Sequence, residues 1–266
     1  VRANVANAIT TLFQNHSAVL CERMHLTSHL DNQFTGWMRA VAGAIPRISY
    51  GRASAVLGVS RGVTKDLVEH FHVSPGKAHT IYNPYNIDDI RAASKETPSI
   101  SLPSRFIVSA GRLTEAKNFK HLINAYLKSS ERDPLCILGE GEQKEALAQF
   151  IKKKGAEKRV LLVGYAKNPF SVFSRAKYYI SASTNEGFPN ALLEAMTVGL
   201  PVVMTNCPSG PAEILDADPD FQSDKYHFGK YGILVPLGDE RELVYAINQM
   251  QIEDVRVNYS SKSKLR

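Results

Sequence analysis

Short β-branched runs alternate with longer amphipathic stretches along this chain, the pattern of parallel strands joined by crossover helices. In the second half the strand runs are Phe106-Ile107-Val108, Cys136-Ile137-Leu138, Val160-Leu161-Leu162-Val163, Tyr178-Tyr179-Ile180, Pro201-Val202-Val203-Met204 and Gly232-Ile233-Leu234-Val235. The stretches between them carry apolar stripes. Phe119, Leu122, Ile123, Tyr126 and Leu127 fall at i, i+3, i+4, i+7 and i+8, one face of a helix. Ala146, Leu147, Phe150 and Ile151 repeat the stripe before a Lys152-Lys153-Lys154-Gly155 stop, and Leu243, Ala246, Ile247 and Met250 form another. Six strands with intervening helices predict a complete doubly wound α/β domain.

The first half is thinner. Strands are expected at Ala18-Val19-Leu20-Cys21, at Ala55-Val56-Leu57-Gly58-Val59 and at His79-Thr80-Ile81-Tyr82, with helices over 3–15, 36–47 and 61–71. Asn83-Pro84-Tyr85-Asn86 and the Ser/Thr/Pro-rich stretch from Ser94 to Pro103 read as a linker. The expected division is therefore a partial N-terminal domain with its linker over 1–100 and a C-terminal domain over 101–266. The chain opens without Met, and its first half looks like the tail of a domain, so an N-terminally truncated protein is expected.

With 266 residues and 44% hydrophobic content, the chain has enough material for a packed core and is neither disordered nor a disulfide-built miniprotein. The net charge of +6 is mild and dispersed, which suits an anionic ligand or an anionic membrane surface better than nucleic acid. Cys21, Cys136 and Cys207 form no CxxC pair and read as thiols of a reducing compartment. No apolar run approaches the roughly 20 residues of a membrane span. A cytoplasmic location, peripheral at the inner face of the membrane, is the expectation.

Ligands of open parallel sheets bind beyond the carboxyl ends of the strands, so the residues just after each strand carry the candidate chemistry. Gly111 follows the first strand of the second half, and Arg112 and Lys117 place two cations there, an arrangement suited to a diphosphate. Taken alone, that loop reads first as a capped turn with solvated charges. Gly139-Glu140-Gly141 lacks the further Gly of a dinucleotide fingerprint, since residue 144 is Lys, and there is no P-loop. The most informative segment runs from Ser183 to Met196. Pro189 suits a first helical turn, after which the N–H groups of Asn190, Ala191 and Leu192 would face an anion. Glu186 in the loop and Glu194 on the helix would accept hydrogen bonds from sugar hydroxyls. Asp216-Ala217-Asp218-Pro219-Asp220 has D-x-D spacing but no preceding apolar strand, and reads as a polar turn. His25 and His29 lack the Glu of a zinc motif. His70-Phe71-His72 reads as a helix end.

The run E-G-F-P-N-A-L-L-E-A-M from Glu186, the downstream G-L-P-V-V and C-P-S-G-P-A-E-I-L, and the upstream S-A-G-R-L-T-E-A-K-N occur in a fixed order. With I-Y-N-P at Ile81 and G-V-S at Gly58, they resemble the signature of family 4 retaining glycosyltransferases of the GT-B fold, bacterial surface-polysaccharide type. The resemblance implies two Rossmann-like domains, the N-terminal one incomplete, around an interdomain cleft. It implies transfer of a sugar from a nucleotide-sugar donor, UDP-hexose or UDP-N-acetylhexosamine, to a glycan or lipid-linked acceptor, with no metal or other cofactor. Arg112 and Lys117 would hold the diphosphate and stabilise it as a leaving group, and Glu186 would hold sugar hydroxyls. Gly187, Phe188 and Pro189 would assist through their backbone, Glu194 would take the ribose, and Gly164-Tyr165 the base. Gly111, Gly139, Asn190, Ala191 and Leu192 would complete the donor site. Glu22, Arg23 and His25, after the first strand, are the acceptor-side candidates. The family's N-terminal Gly-rich loop is not in these residues, so a nucleotide-sugar-binding fragment inactive alone is the second reading. A GT-B-like epimerase is the third.

Overall fold

The computed structural model describes residues 2–11, 13, 16–215 and 220–263. Its first half runs α1 (Arg2–Thr10), β1 (Val19–Glu22), α2 (Leu26–Gln33), α3 (Gly36–Gly51), β2 (Ala55–Gly58), α4 (Arg61–Phe71), β3 (Ala78–Thr80) and α5 (Ile87–Ala93). β1, β2 and β3 form a parallel three-stranded sheet in that order. The expected linker is in part ordered structure. Asn86 caps α5 through the Asp89 amide, and α5 packs on helices of the second half. Asn168 then donates to the Ala93 carbonyl at 2.8 Å, and Ser174 to the Ser94 carbonyl at 2.8 Å.

The second half runs β4 (Ile107–Ala110), α6 (Phe119–Lys128), β5 (Leu135–Leu138), α7 (Lys144–Lys153), β6 (Val160–Gly164) and α8 (Pro169–Phe173). It continues through β7 (Tyr179–Ser181), α9 (Asn190–Thr197), β8 (Val202–Thr205), α10 (Pro211–Leu215), β9 (His227–Phe228) and β10 (Ile233–Val235) to α11 (Glu240–Gln249) and α12 (Glu253–Ser263). The sheet order is β6-β5-β4-β7-β8-β10-β9, parallel except for β9 against β10. β9 is a two-residue edge strand that the hydrophobic pattern does not announce.

β5 and β8 are buried at every position, as parallel strands covered on both faces must be. One face packs under α6, α7 and α11 through Leu122, Tyr126, Leu147 and Ile247. The other packs under α8, α9 and α10 through Phe173, Leu192, Met196 and Leu215. The chain leaves β4 to build outward in one direction as β5 and β6, then returns to β7 on the other side of β4. The crevice between the ends of β4 and β7 is therefore the switch point at which such sheets bind ligands. The GT-B expectation of two parallel α/β units holds.

Candidate functional site

A cavity of about 740 Å³ opens at that switch point. The loop after β4 brings Gly111, Arg112 and Lys117 to it, the loop after β5 brings Gly139, and the loop after β7 brings Glu186, Gly187 and Phe188. Asn190, Ala191 and Glu194 enter from the start of α9, and Tyr165 from beyond β6. Lys117 ends a short 3₁₀ turn, followed by Asn118 in the left-handed region, and Thr184 N–H donates to the Ala116 carbonyl at 2.8 Å. That bond ties the β7 loop to the β4 loop. It sets the Lys117 ammonium 2.5 Å from Glu186 Oε1, with the two side chains 22% and 12% exposed. Cation and carboxylate thus face the cavity as a pair.

Glu194 lies one turn into α9, on the face that lines the cavity. Burial pushes its carboxyl pKa above the ordinary 4.5. The folded chain therefore holds its proton more tightly than the unfolded chain, and stability falls as pH rises from about 4.5 through the raised value. Glu194→Gln does not ionise. We expect its melting temperature to exceed that of the wild type at pH 7, with the gap closing below pH 4.5. Parallel melting curves across that range would remove burial as the cause.

Several expected site residues take other roles. Pro189 is the N-cap of α9 rather than its first helical residue, and the Leu192 N–H is donated to the Pro189 carbonyl at 3.1 Å. Leu192 is fully buried in the core under the sheet and does not line the cavity. Gly164 lies behind the cavity wall, where its carbonyl accepts from Gly139 N–H at 2.9 Å, while Tyr165 beyond it is 72% exposed. Of the acceptor-side residues only Arg23 reaches the cavity. Glu22 is buried, accepting from the Tyr50 hydroxyl at 2.7 Å and from Arg23 N–H at 3.1 Å. His25 caps α2 through Nδ1, and its Nε2 lies 3.7 Å from Asp66; burial lowers its pKa against the pull of that carboxylate. Asp216 and Asp218 lie outside the described residues, whereas Asp220 pairs with Lys65 at 2.6 Å.

The structure adds residues that the motifs left out. Asn83, from the crossover between the two sheets, lines the cavity and donates to Asn190 Oδ1 at 2.7 Å, as does the Tyr85 hydroxyl at 2.6 Å. The I-Y-N-P run was the available signal, but its Asn had no assigned place. Gly187 packs so tightly on the Arg23 carbonyl that a Cβ would lie 2.0 Å from it. The Phe188 ring stacks on Tyr82 at 5.1 Å, and with Arg23 and Asn83 among the lining residues both halves of the chain wall the cavity.

Fold and site together define a GT-B α/β protein with a crevice between two sheets, lined by Arg112, Lys117, Glu186 and Glu194. The model of the glycosyl transferases group 1 family matches residues 104–252, and the chain belongs to that family. It is 34% identical over 218 residues, 82% of this chain and 56% of the relative, to a Campylobacter jejuni enzyme. That relative is N-acetylgalactosamine-N,N'-diacetylbacillosaminyl-diphospho-undecaprenol 4-alpha-N-acetylgalactosaminyltransferase. An uncharacterized glycosyltransferase of Methanocaldococcus jannaschii is 32% identical, matching 80% of this chain and 59% of its own length. The chain thus spans just over half the length of these relatives. Among solved structures, Anabaena HepE in complex with UDP and glucose superposes with a TM-score of 0.74 at 21% identity, covering 99% of this chain and 70% of HepE. A Rickettsia africae glycosyltransferase gives 0.70 at 16% identity, covering 97% of this chain and 67% of that one. At such identities the likeness is one of fold. Among the described residues, no helix is long and apolar enough to cross a membrane.

Proposed function

We propose that this chain forms the donor side of a family 4 retaining glycosyltransferase, moving a hexose or N-acetylhexosamine from UDP to a glycan or lipid-linked acceptor. The observation that carries the reading is the Lys117–Glu186 pair at the switch-point cavity, with Arg112, Glu194 and the start of α9 around it. Arg112 and Lys117 bind the diphosphate and stabilise its charge as it leaves, without a metal ion. Glu186 accepts from the sugar hydroxyls and orients Lys117, while Glu194 accepts from the ribose. Tyr165 borders the place of the base. The relatives' names support a sugar transferase, and the UDP bound in HepE supports the choice of nucleotide.

Isothermal titration with UDP and GDP, beside a transfer assay with and without EDTA, tests this. UDP binding and EDTA-resistant transfer are expected. Binding neither nucleotide overturns the reading, and activity lost in EDTA and restored by Mn²⁺ overturns the metal-free step. The second reading, a donor-binding unit inactive alone, is favoured by the chain's span of just over half its relatives, and binding without transfer would establish it.

The acceptor side faces an anionic bilayer in this proposal, at the inner face of the membrane. Trp37, Met38, Val41, Ile45 and Ile48 form an exposed stripe on α3, a helix with two arginines and no acidic residue. An apolar stripe with basic neighbours matches the chemistry of an anionic membrane surface. Sedimentation with phosphatidylglycerol vesicles, lost in Trp37→Glu, is the expected result; equal sedimentation with neutral vesicles would count against it.

A further inference from the structure

The first-turn N–H groups of α4 are shared between the two halves of the molecule. A helix start leaves such donors without intrahelical partners. The Val63 amide is taken by Ser60 Oγ at 3.2 Å and the Thr64 amide by the Ser60 carbonyl at 3.0 Å. The Arg61 amide donates instead to both carboxylate oxygens of Glu213, each at 3.1 Å, and the Gly62 amide to one of them at 3.4 Å. Glu213 belongs to α10, in the other half of the chain. The Tyr82 hydroxyl adds a bond of 2.5 Å to the same carboxylate. A negative side chain at a helix N-terminus is stabilised by the amides and by the helix dipole, so this contact is a charge-assisted clasp between the two sheets.

The clasp is continuous with the donor loop. Four residues before Glu213, the Ser209 hydroxyl donates to the Glu186 carbonyl at 2.9 Å and approaches the Gly187 carbonyl at 3.3 Å. On the other side, the Tyr82 ring that bonds Glu213 also stacks on Phe188. Gly62 allows the approach, because a Cβ there would lie 2.7 Å from Ser209 Cβ. Three consecutive residues of the donor loop are therefore held by groups that close on Glu213.

We propose that Glu213 is a positioning residue, which latches α4 to the second sheet and through Ser209 and Tyr82 holds Glu186 where the donor's sugar sits. The place of the sugar rests on the function proposed above; the latch itself does not. The inference separates two parts of the donor. The diphosphate and nucleoside are held by Arg112, Lys117, Tyr165 and Glu194, of which only Lys117 is linked to the clasp, through its pair with Glu186. The sugar meets Glu186, which does.

Two measurements on the whole chain test this. Residue-resolved hydrogen exchange should show the Arg61 and Gly62 amides exchanging at least about tenfold faster in Glu213→Ala, with the Val63 amide unchanged. Titration should show affinity for the tightest-bound of UDP-glucose, UDP-galactose, UDP-N-acetylglucosamine and UDP-N-acetylgalactosamine falling about tenfold, while that for UDP changes less than about threefold. Glu213→Gln keeps a carbonyl acceptor for the amides and should lose less, which guards against a variant that simply folds poorly. Gly62→Ala, which wedges the clasp with Glu213 intact, should reproduce the Glu213→Ala pattern. Unchanged exchange at Arg61 and Gly62 overturns the latch, and equal weakening of UDP and UDP-sugar overturns the positioning role. If the wild type binds none of these nucleotides, the proposed function fails, and with it the role of Glu186 in holding sugar; the exchange data still decide the latch.

Discussion

Lys117→Ala is expected to weaken UDP binding about 100-fold, the largest loss of any single side-chain truncation in the cavity. A hydrogen bond to a charged group contributes roughly 1.5–3 kcal/mol, and the upper part of that range corresponds to about two orders of magnitude in affinity. A second effect pushes the loss toward that end. Lys117 neutralises Glu186 at 2.5 Å, and Glu186 is only 12% exposed. Removing the ammonium leaves a carboxylate facing an incoming diphosphate, so an attraction is replaced by a repulsion between like charges. The double variant Lys117→Ala/Glu186→Gln should consequently bind UDP better than Lys117→Ala alone. Thermal stability should stay within about 1 kcal/mol, because the pair sits at a cavity edge rather than in the core. Calorimetric titration of the wild type and the two variants checks the sequence of effects, and wild-type affinity in Lys117→Ala would refute the site.

Gly139→Ala is expected to cost about 3 kcal/mol of stability, roughly 10 °C for a chain of this size, and to abolish UDP binding as well. Its φ is +138°, and an added Cβ would lie 1.9 Å from the Gly111 carbonyl oxygen and 2.9 Å from the carbonyl carbon. The obstacle is backbone, so no rotamer change relieves it. The two loops are also tied by backbone bonds, Gly111 N–H to the Leu138 carbonyl at 3.0 Å and Leu113 N–H to the Glu140 carbonyl at 2.9 Å. Forcing them apart displaces Gly111, Arg112 and Lys117 together. Gly155→Ala supplies the comparison, because it too has a positive φ, +62°, but a Cβ there meets nothing within 4 Å. It should cost only the roughly 1 kcal/mol of backbone strain expected at such a position. Equal melting temperatures for the two variants would show that loop contact contributes nothing.

The residues legible in the sequence were those whose signal is local. Glu186 and Glu194 flank one helix start, and Lys117 follows one strand at short range, so their neighbours in the chain mark them. Leu192 was misplaced by a one-residue difference in register. Pro189 caps α9 instead of opening it, and the amide thought to be free closes the first turn on the Pro189 carbonyl. α5 was hidden among turn signals, since its short apolar pattern is bracketed by Asn-Pro and by Ser/Thr/Pro-rich chain. β9 pairs at two residues only, too few for an alternation to show.

Arg23 and Asn83 illustrate the remaining gap. Both lie in the first half of the chain, yet both wall a cavity whose other residues come from beyond residue 109. Local periodicity established the alternation of strands and helices, the covered parallel sheet of the second half and the loops that carry cations and carboxylates. It is a short-range property, however, and does not encode which strand lies beside which. The placement of β7 next to β4 brings Lys117 to Glu186 across 69 positions of chain, and only the folded sheet supplies it. The closeness of the two sheets is of the same kind. It depends on the space left where Gly62 and Gly187 lack a Cβ and on a carboxylate 152 positions from the amide it binds. Such contacts arise from packing between distant segments, which is why the charged loop after β7 could be read from the chain and the arrangement that holds it could not.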